Sequence, residues 1–191
     1  MKINKIRKQG KKYLIELEDG TIIKTYGDIL IKYNILYHKE LDEEMFDKIS
    51  KENIYYDAYN SCLTYISKKL RSEYENLIVS IGNNQIRENI TNYAIELGYK
   101  IPNIFNETAY ISPYAKFGYG CIVLSNASIQ NGAVLHNGIV ITANVEVHHD
   151  CELDDYSLVY SNSTIRTNAY VGKRVKIESN ITVPNNFKVE I

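Results

Sequence analysis

The chain has 191 residues, of which 45% are hydrophobic, and its 22 basic and 23 acidic side chains leave a net charge of −1. This length suits one ordinary domain or two small ones, and the near-neutral charge excludes a protein that binds nucleic acid or membranes by bulk electrostatics. Cys62, Cys121 and Cys151 are too widely spaced for a disulfide scaffold or a CxxC metal site, which predicts a reducing, cytoplasmic location. We find no apolar run of about 18 residues and no apolar signal core, so neither a membrane span nor a secretory signal is predicted.

Charged residues are concentrated in the first part of the chain. The segment 1–75 carries 14 Lys or Arg and 13 Asp or Glu, whereas the segment 76–191 carries 8 and 10. A composition shift of this kind is typical of a domain boundary. We therefore predict three segments: a hairpin and helical module over 1–75, a short α/β segment over 76–108, and a repeat domain over 109–191.

The first segment opens with a predicted β-hairpin. Residues 3–15 alternate loosely in hydrophobicity, and Asp19-Gly20 is a turn pair ahead of the short apolar run at 21–23. Six of the first twelve residues are basic and none is acidic. Two interpretations remain open: lysines that protect a solvated edge strand, and a surface that contacts phosphates or an acidic partner.

Helices are predicted to follow the hairpin. Asp28 is a candidate N-cap for a short helix over 29–33, and the acidic residues at 42–44 suit the first turn of a helix through Ile49. Small or apolar side chains then recur every four positions, which predicts a packing face that includes Cys62 as a core residue. They are Ile54, Ala58, Cys62 and Ile66.

Residues 2–75 resemble the N-terminal part of RecX, the regulator of the RecA recombinase. The resemblance lies in INKIRKQGKKYLIELEDG, DILIKYNI, KELDEE and AYNSCLTYISKKLRSE, whose order and spacing are similar to a basic hairpin followed by the first helical module of that family. The resemblance implies a recombination regulator with RecA or DNA as its partner.

The α/β segment is predicted to contain one strand and one helix. Residues 77–81 form a continuous apolar run typical of a buried strand, and a helix is expected over about 85–97 with Gly98 as its terminator. The turn at 82–84 would bring backbone N–H groups to a helix N-terminus, where anions bind. A purely structural turn is the other interpretation.

From residue 111 onward a large apolar residue recurs every six positions, and the residue two places before each one is small or β-branched. A fixed period of this kind is typical of repeat architectures. The thirteen recurring residues are Ile111, Phe117, Val123, Ile129, Leu135, Ile141, Val147, Leu153, Val159, Ile165, Val171, Ile177 and Val183.

This period predicts a left-handed parallel β-helix, so the fold class is mostly β. Each hexad forms one side of a triangular prism, three hexads make a coil of about 18 residues, and coils stack about 4.8 Å apart. Large residues fill the interior and small ones allow the corners to turn, so Cys121 and Cys151 are predicted to be structural. Such arrays need a cap at each end, and we predict that the α/β segment forms one cap and that Pro184 closes the other end.

A histidine pair supplies the candidate chemistry. Val147 is predicted to face the interior, so His148 and His149 lie around the next turn and are followed by Asp150. An imidazole that is held by a carboxylate serves as a general base. An ordinary solvated turn is the alternative interpretation, and because no third ligand is close in sequence, no metal site is predicted.

Residues 76–184 resemble the hexapeptide-repeat sugar acetyltransferases that act on sialic acid and bacillosamine-type sugars. The match lies in IGNNQIR, YISPYAKFG and HHDC. The resemblance implies transfer of acetyl from acetyl-CoA to a sugar or sugar-nucleotide amine or hydroxyl, in a homotrimer whose grooves between β-helices hold acetyl-CoA. It implies that His149 is the general base and that Asp150 orients it. The implied sugar-nucleotide contacts are Gly82, Asn83, Asn84 and Arg87.

The same resemblance locates the acetyl-CoA groove. Pro-Gly and Gly-Gly pairs of the family, where the cofactor approaches the backbone, align with Ser161-Asn162 and Thr167-Asn168. Asn162, Thr167 and Asn168 are therefore the implied cofactor-binding residues. Leu158 aligns with a second histidine of the family.

Three functions remain open from the sequence. The hexads and HHDC favour an acetyl-CoA-dependent acyltransferase. The replaced glycines, Leu158 and the lack of the family's N-terminal phosphate loop favour a non-catalytic trimeric β-helix scaffold that presents an interaction module. The segment 1–75 alone favours a RecX-like regulator. None of the three predicts a membrane partner.

Overall fold

The computed structural model describes residues 1–38, 40–67 and 73–190. It divides into two compact units, Met1–Tyr65 and Ile66–Ile191. Within the described ranges, no helix combines the length and the apolar character that crossing a membrane requires.

The first unit is built on a three-stranded antiparallel sheet. Its strands are β1 (Ile3–Gln9), β2 (Lys12–Leu17) and β3 (Ile22–Tyr26), in the order β1-β2-β3, so the basic β1 is an edge strand. The predicted turn joins β2 to β3, where Gly20 adopts a φ of +86°. The core of the unit consists of Ile15, Leu17, Ile23, Ile29, Leu30, Ile35, Leu41 and Ile49.

The helices of this unit are α1 (Gly27–Lys32), a 3₁₀ turn (Ile35–Tyr37) and α2 (Glu43–Tyr65). The predicted cap of the first helix is wrong, because Asp28 lies inside the first turn of α1 and Tyr26 holds the N-cap position. Asp42 does cap α2, since its carboxylate accepts a hydrogen bond of 2.7 Å from the backbone N–H of Met45.

The predicted packing face of α2 is wrong for Ile54 and Ala58, whereas Cys62 is half-buried and Ile66 is buried. Ile54 is 70% exposed and Ala58 is exposed, whereas Ile49 is fully buried. Ile54 lies five positions beyond Ile49, which places it about 140° around a helix of 3.6 residues per turn. The sheet therefore selects the face that carries Phe46 and Ile49, and the four-residue spacing that begins at Ile54 follows another face.

The second unit contains the predicted parallel β-helix. Fifteen two-residue strands form three parallel sheets of five strands, and each strand pairs with the third strand after it in the chain, as Val140 does with Leu158. The strands are β4 (Ile104–Phe105), β5 (Tyr110–Ile111), β6 (Lys116–Phe117), β7 (Ile122–Val123), β8 (Ser128–Ile129), β9 (Val134–Leu135), β10 (Val140–Ile141), β11 (Glu146–Val147), β12 (Glu152–Leu153), β13 (Leu158–Val159), β14 (Thr164–Ile165), β15 (Tyr170–Val171), β16 (Lys176–Ile177), β17 (Thr182–Val183) and β18 (Lys188–Val189).

All thirteen predicted apolar positions lie in the core of the β-helix, with Ile111 and Phe117 partly buried and the other eleven buried. The repeat is longer than predicted by one strand at each end. Pro184 does not close it, because its carbonyl accepts a hydrogen bond from the N–H of Phe187 in the turn that leads to β18.

The corners of the prism require a left-handed backbone conformation. From residue 120 to 186, every sixth residue has a φ between +55° and +72°. Three of these twelve corner residues are glycine and six are asparagine, the side chain that best tolerates this conformation. The stacking of coils sorts them into three columns: 120/138/156/174, 126/144/162/180 and 132/150/168/186.

Helix α3 (Asn84–Glu96) forms close to its predicted position and ends at Gly98, which has a φ of +84°. Two predictions for this segment are wrong. Residues 77–81, all of which the structure describes, form no strand, and the pairing beside them is an isolated bridge from Asn76 to Lys100. The helix does not cap an end of the array, because its side chains bond to the corner column 120/138/156/174.

Candidate active site

His149 and Asp150 lie together at one corner of the prism. Nδ1 of His149 is 2.9 Å from Oδ2 of Asp150, and Nε2 is 3.1 Å from Oγ1 of Thr167, which occupies the equivalent place in the next coil. Val147 is fully buried, as predicted, and the turn that follows it leaves the His149 side chain 52% exposed. The arrangement gives an accessible imidazole that is oriented on both ring nitrogens.

Gly132 makes room for the carboxylate. It precedes Asp150 by one coil at the same corner, and a Cβ added to it would lie 2.1 Å from Oδ1 of Asp150. Gly132 also adopts a φ of +72°. Its lack of a side chain is therefore a condition for the observed position of Asp150.

An open cavity of about 560 Å³ adjoins this corner. It lies on the outer face of the sheet that contains β5, β8 and β11, and its walls combine an aromatic ring, a hydroxyl, two carboxamides and the His149-Asp150 pair. The lining residues are Tyr110, Ser128, Gln130, Asn131, His149 and Asp150.

His148 belongs to a separate polar group on the same sheet. Its Nε2 lies 3.4 Å from Oε2 of Glu146, and the other oxygen of Glu146 accepts a hydrogen bond of 3.1 Å from Gln130. Gln130 also lines the cavity. His148 therefore lies next to the site while His149 faces it.

The residues that the resemblance assigned to the sugar nucleotide lie elsewhere in the unit. Asn83 caps α3 by accepting a hydrogen bond of 3.0 Å from the N–H of Ile86, and Asn84 donates one of 2.7 Å to the carbonyl of Arg174. Gly82 is exposed at the start of this turn. The turn thus faces the corner column of Arg174, and His149 lies at a different corner of the prism.

Arg87 fastens α3 to the β-helix. It is 1% exposed, and its five N–H groups all donate to the chain: to the carbonyls of Ile81, Gly138, Tyr156 and Ser157 and to the side chain of Asn84. Burial lowers the pKa of its guanidinium to about 10. In this arrangement Arg87 fixes the turn and has no N–H left for a phosphate.

The residues assigned to acetyl-CoA divide between two corners. Thr167 and Asn168 lie at the His149 corner, where Asn168 donates a hydrogen bond of 3.2 Å to Asn186 in the next coil. Asn162 lies at another corner, in a ladder with Asn144 and Asn180. Leu158 is buried in β13 and contributes no polar group. Thr167 bonds to the imidazole of His149, and the backbone N–H of Asn168 donates to the carbonyl of His149.

The two cysteines of the β-helix are structural, as predicted. Burial raises the pKa of Cys121 to about 11 and raises that of Cys151, so both thiols stay protonated near neutral pH. Cys62 is half-buried in α2, and burial also raises its pKa.

Three of the residues that line the cavity were not predicted from the sequence. Tyr110, Ser128 and Asn131 are far from His149 in sequence, and no short motif links them. The signal was present in the repeat itself, because Asn131 precedes His149 by one coil and Ser128 follows Tyr110 by one. Stacking the hexads by coil would have placed them beside the histidine.

The second unit is similar to solved acetyltransferase structures. The acetyltransferase domain of PglB from Neisseria gonorrhoeae, in complex with acetyl coenzyme A, is 28% identical with a TM-score of 0.63 over 66% of this chain and 61% of that one. A second structure of the same domain is 28% identical with a TM-score of 0.63 over 65% of this chain and 61% of that one. PerB from Caulobacter crescentus, in complex with CoA and GDP-perosamine, is 14% identical with a TM-score of 0.46 over 67% and 70%.

The similarity to the PglB domain confirms the resemblance to hexapeptide-repeat acetyltransferases. The chain spans about three-fifths of the length of the PglB structures it matches, 61% in each case. No model of a known protein family matches the chain. The resemblance of residues 2–75 to RecX gains no support from these similarities and stays a hypothesis.

Proposed function

We propose that the chain transfers an acetyl group from acetyl-CoA to an amine or hydroxyl of a sugar or sugar nucleotide, with His149 as the general base. One observation carries the proposal: an oriented His149-Asp150 pair faces a polar cavity on a β-helix similar to the acetyltransferase domain of PglB. That domain is solved with acetyl coenzyme A.

His149 would accept the proton of the attacking group. Because the carboxylate of Asp150 only accepts hydrogen bonds, Nδ1 carries the ring hydrogen. The lone pair of Nε2 accepts a hydrogen bond from Thr167 until the amine or hydroxyl of the sugar replaces it. The acceptor atom attacks the thioester carbonyl as its proton passes to Nε2, the C–S bond breaks, and the imidazolium returns the proton to the thiolate of CoA. Asp150 offsets the charge that His149 gains, and such proton transfer accelerates reactions by about 10²- to 10⁴-fold.

The cavity suits the ring of a sugar. Tyr110 offers an aromatic face against which the C–H groups of a sugar can pack, and Ser128, Gln130 and Asn131 offer hydroxyl and carboxamide groups to its hydroxyls. A volume of about 560 Å³ lies within the range of ordinary small-molecule sites.

A homotrimer is part of the proposal. Gly82, Asn83 and Asn84 remain the proposed contacts of the sugar nucleotide, with Arg87 as the residue that fixes their turn. They lie at a different corner from His149, so a neighbouring subunit has to bring its turn to the cavity. Thr167 and Asn168 at the His149 corner, and Asn162 at the next corner, would border the acetyl-CoA groove of the assembled trimer.

The proposal is tested by incubating the full chain with acetyl-CoA and a panel of amino sugars and nucleotide-linked amino sugars. Mass spectrometry is expected to show an added acetyl group on at least one acceptor, and the His149→Gln variant is expected not to produce it. Equal product from the variant would remove His149 from its assigned role.

A non-catalytic β-helix scaffold is the second candidate. The hydroxyl of Thr167 occupies the lone pair of Nε2, and side chains stand at corners where the acetyltransferase family has glycine. Calorimetry separates the two candidates, because the scaffold binds no acetyl-CoA at millimolar concentration and the enzyme does. Light scattering on the same sample is expected to give the mass of a trimer.

A further inference from the structure

The hydroxyl of Thr167 is hydrogen-bonded directly to the candidate base. Its Oγ1 lies 3.1 Å from Nε2 of His149, on the side of the ring away from Asp150. Since Nδ1 donates its hydrogen to Asp150, Nε2 accepts and the threonine hydroxyl is the donor. The proton of Thr167 therefore already points at the atom that would remove it.

Thr167, His149 and Asp150 together have the geometry of an activated hydroxyl nucleophile. Such a nucleophile needs a base about 2.6–3.2 Å away and a third group that orients the base. The distances of 3.1 Å and 2.9 Å satisfy both requirements.

The stacking of the coils holds this geometry in place. Thr167 lies one coil after His149, and the backbone N–H of Asn168 donates a hydrogen bond to the carbonyl of His149. Thr167 is half-buried and β-branched, so its hydroxyl has few alternative positions. The contact thus follows from the repeat and not from a mobile loop.

We infer that Thr167 is an internal acyl acceptor, and that the chain acetylates this hydroxyl when an acetyl donor is present and no sugar competes. The use of acetyl-CoA as donor rests on the proposed function, whereas the nucleophile rests on the contacts of Thr167 alone. Oγ1 attacks the carbonyl carbon of the thioester while its proton passes to Nε2 of His149. The C–S bond breaks, an ester bond to Oγ1 forms, and the proton leaves with CoA as the thiol.

The test uses two donors and the full chain. Acetyl-CoA requires the proposed groove, whereas 4-nitrophenyl acetate is a small activated ester that does not. After an acid quench, peptide mapping by mass spectrometry is expected to find the acetyl group on Thr167 with either donor. The His149→Gln variant is expected to label at least about 100-fold more slowly.

Matched variants test whether labelling requires the hydroxyl of Thr167. Thr167→Ser keeps the hydroxyl and is expected to be labelled, whereas Thr167→Val is not. Thr164→Val changes a threonine of strand β14 on the same coil and is expected to leave the labelling of Thr167 unchanged. Labelling of Thr164 as fast as Thr167, or labelling of Thr167 that ignores His149→Gln, would overturn the inference.

The outcomes also distinguish this inference from the proposed function. Transfer to a sugar by a chain whose Thr167 stays unlabelled without acceptor contradicts the internal acceptor and leaves the proposed function standing. Labelling by 4-nitrophenyl acetate but not by acetyl-CoA supports the internal acceptor and contradicts acetyl-CoA as the donor.

Discussion

Among single residues, the left-handed corner positions decide which side chains can stand beside His149. Asparagine fills half of these corners, yet Gly132 remains glycine one coil before Asp150, where a Cβ would meet the carboxylate. The sequence allowed us to predict the oriented His149-Asp150 pair, because the two are adjacent in the chain. It did not allow us to predict the roles of Gly132 or Thr167, because they meet that pair only through the stacking of coils.

Replacing Gly132 is predicted to disrupt the site. In Gly132→Ala the new methyl group has to displace the Asp150 carboxylate from His149, so transfer by the proposed enzyme should fall by about 10- to 100-fold, as when an orienting group is lost. Gly120→Ala is the matched control, because Gly120 has a φ of +68° and lies at another corner. In both variants a left-handed alanine costs about 1–2 kcal/mol. Equal transfer rates for the two variants, measured as acetylated product, would contradict this role of Gly132.

The buried thiols give a prediction that does not depend on activity. Cys121 has a pKa of about 11 and no exposed surface, so iodoacetamide at pH 8 should leave it unmodified in the folded chain. Cys151, whose pKa is also raised, should behave in the same way. Mass spectrometry before and after unfolding in guanidinium chloride checks this, and fast alkylation of either thiol in the native chain would contradict the packing.

At the level of elements, helix α3 is held to the β-helix by charge and by close packing. Its bounds followed from the sequence because a turn at 82–84 precedes the helix and Gly98 is a recognisable terminator. The docking of α3 could not be predicted from the sequence, because Arg87 and Glu88 look like solvated charges there but are buried in the structure. Tyr156 contributes to the same contact, and Gly138 provides the space, since a Cβ there would lie 2.3 Å from the Tyr156 ring.

Glu88 makes this docking pH-dependent. Burial alone would raise the pKa of its carboxyl, but hydrogen bonds from Arg174 and Lys173 outweigh burial and leave the pKa below its ordinary value. A carboxyl with a depressed folded-state pKa stabilises the fold above its unfolded pKa of about 4.3, and this contribution is lost as the pH falls through the folded value.

Glu88→Gln is therefore predicted to lower the free energy of unfolding by about 1–2 kcal/mol at pH 7. The difference from the native chain should shrink as the pH falls below about 4, because the native carboxyl is then protonated as well. Urea unfolding at several pH values measures this. Glu190→Gln removes a carboxylate from an exposed pair with Lys188 and serves as the control. If the free energy of unfolding of Glu88→Gln differed from that of the native chain by the same amount at every pH, the charged Glu88 carboxylate would not be what holds α3 to the β-helix.

At the scale of the whole molecule, the β-helix could be predicted almost completely because the hexad repeats one physical requirement thirteen times. The missed terminal strands, which end at Phe105 and Val189, carry an apolar residue in the same register but lie next to less regular sequence. The N-terminal unit was harder, since a single amphipathic helix offers several faces and only the sheet selects one. The complete site could not be predicted, because its proposed parts lie at different corners and would meet only between the subunits of the proposed trimer.

Acetyl transfer from acetyl-CoA with His149 as the base can be measured as the rate of CoA thiol release with an accepted sugar, in the native chain and in His149→Gln. The variant is expected to be at least about 100-fold slower while it keeps the native mass in light scattering. Equal rates, or no acceptor-dependent thiol release from the native chain, would contradict the proposed function.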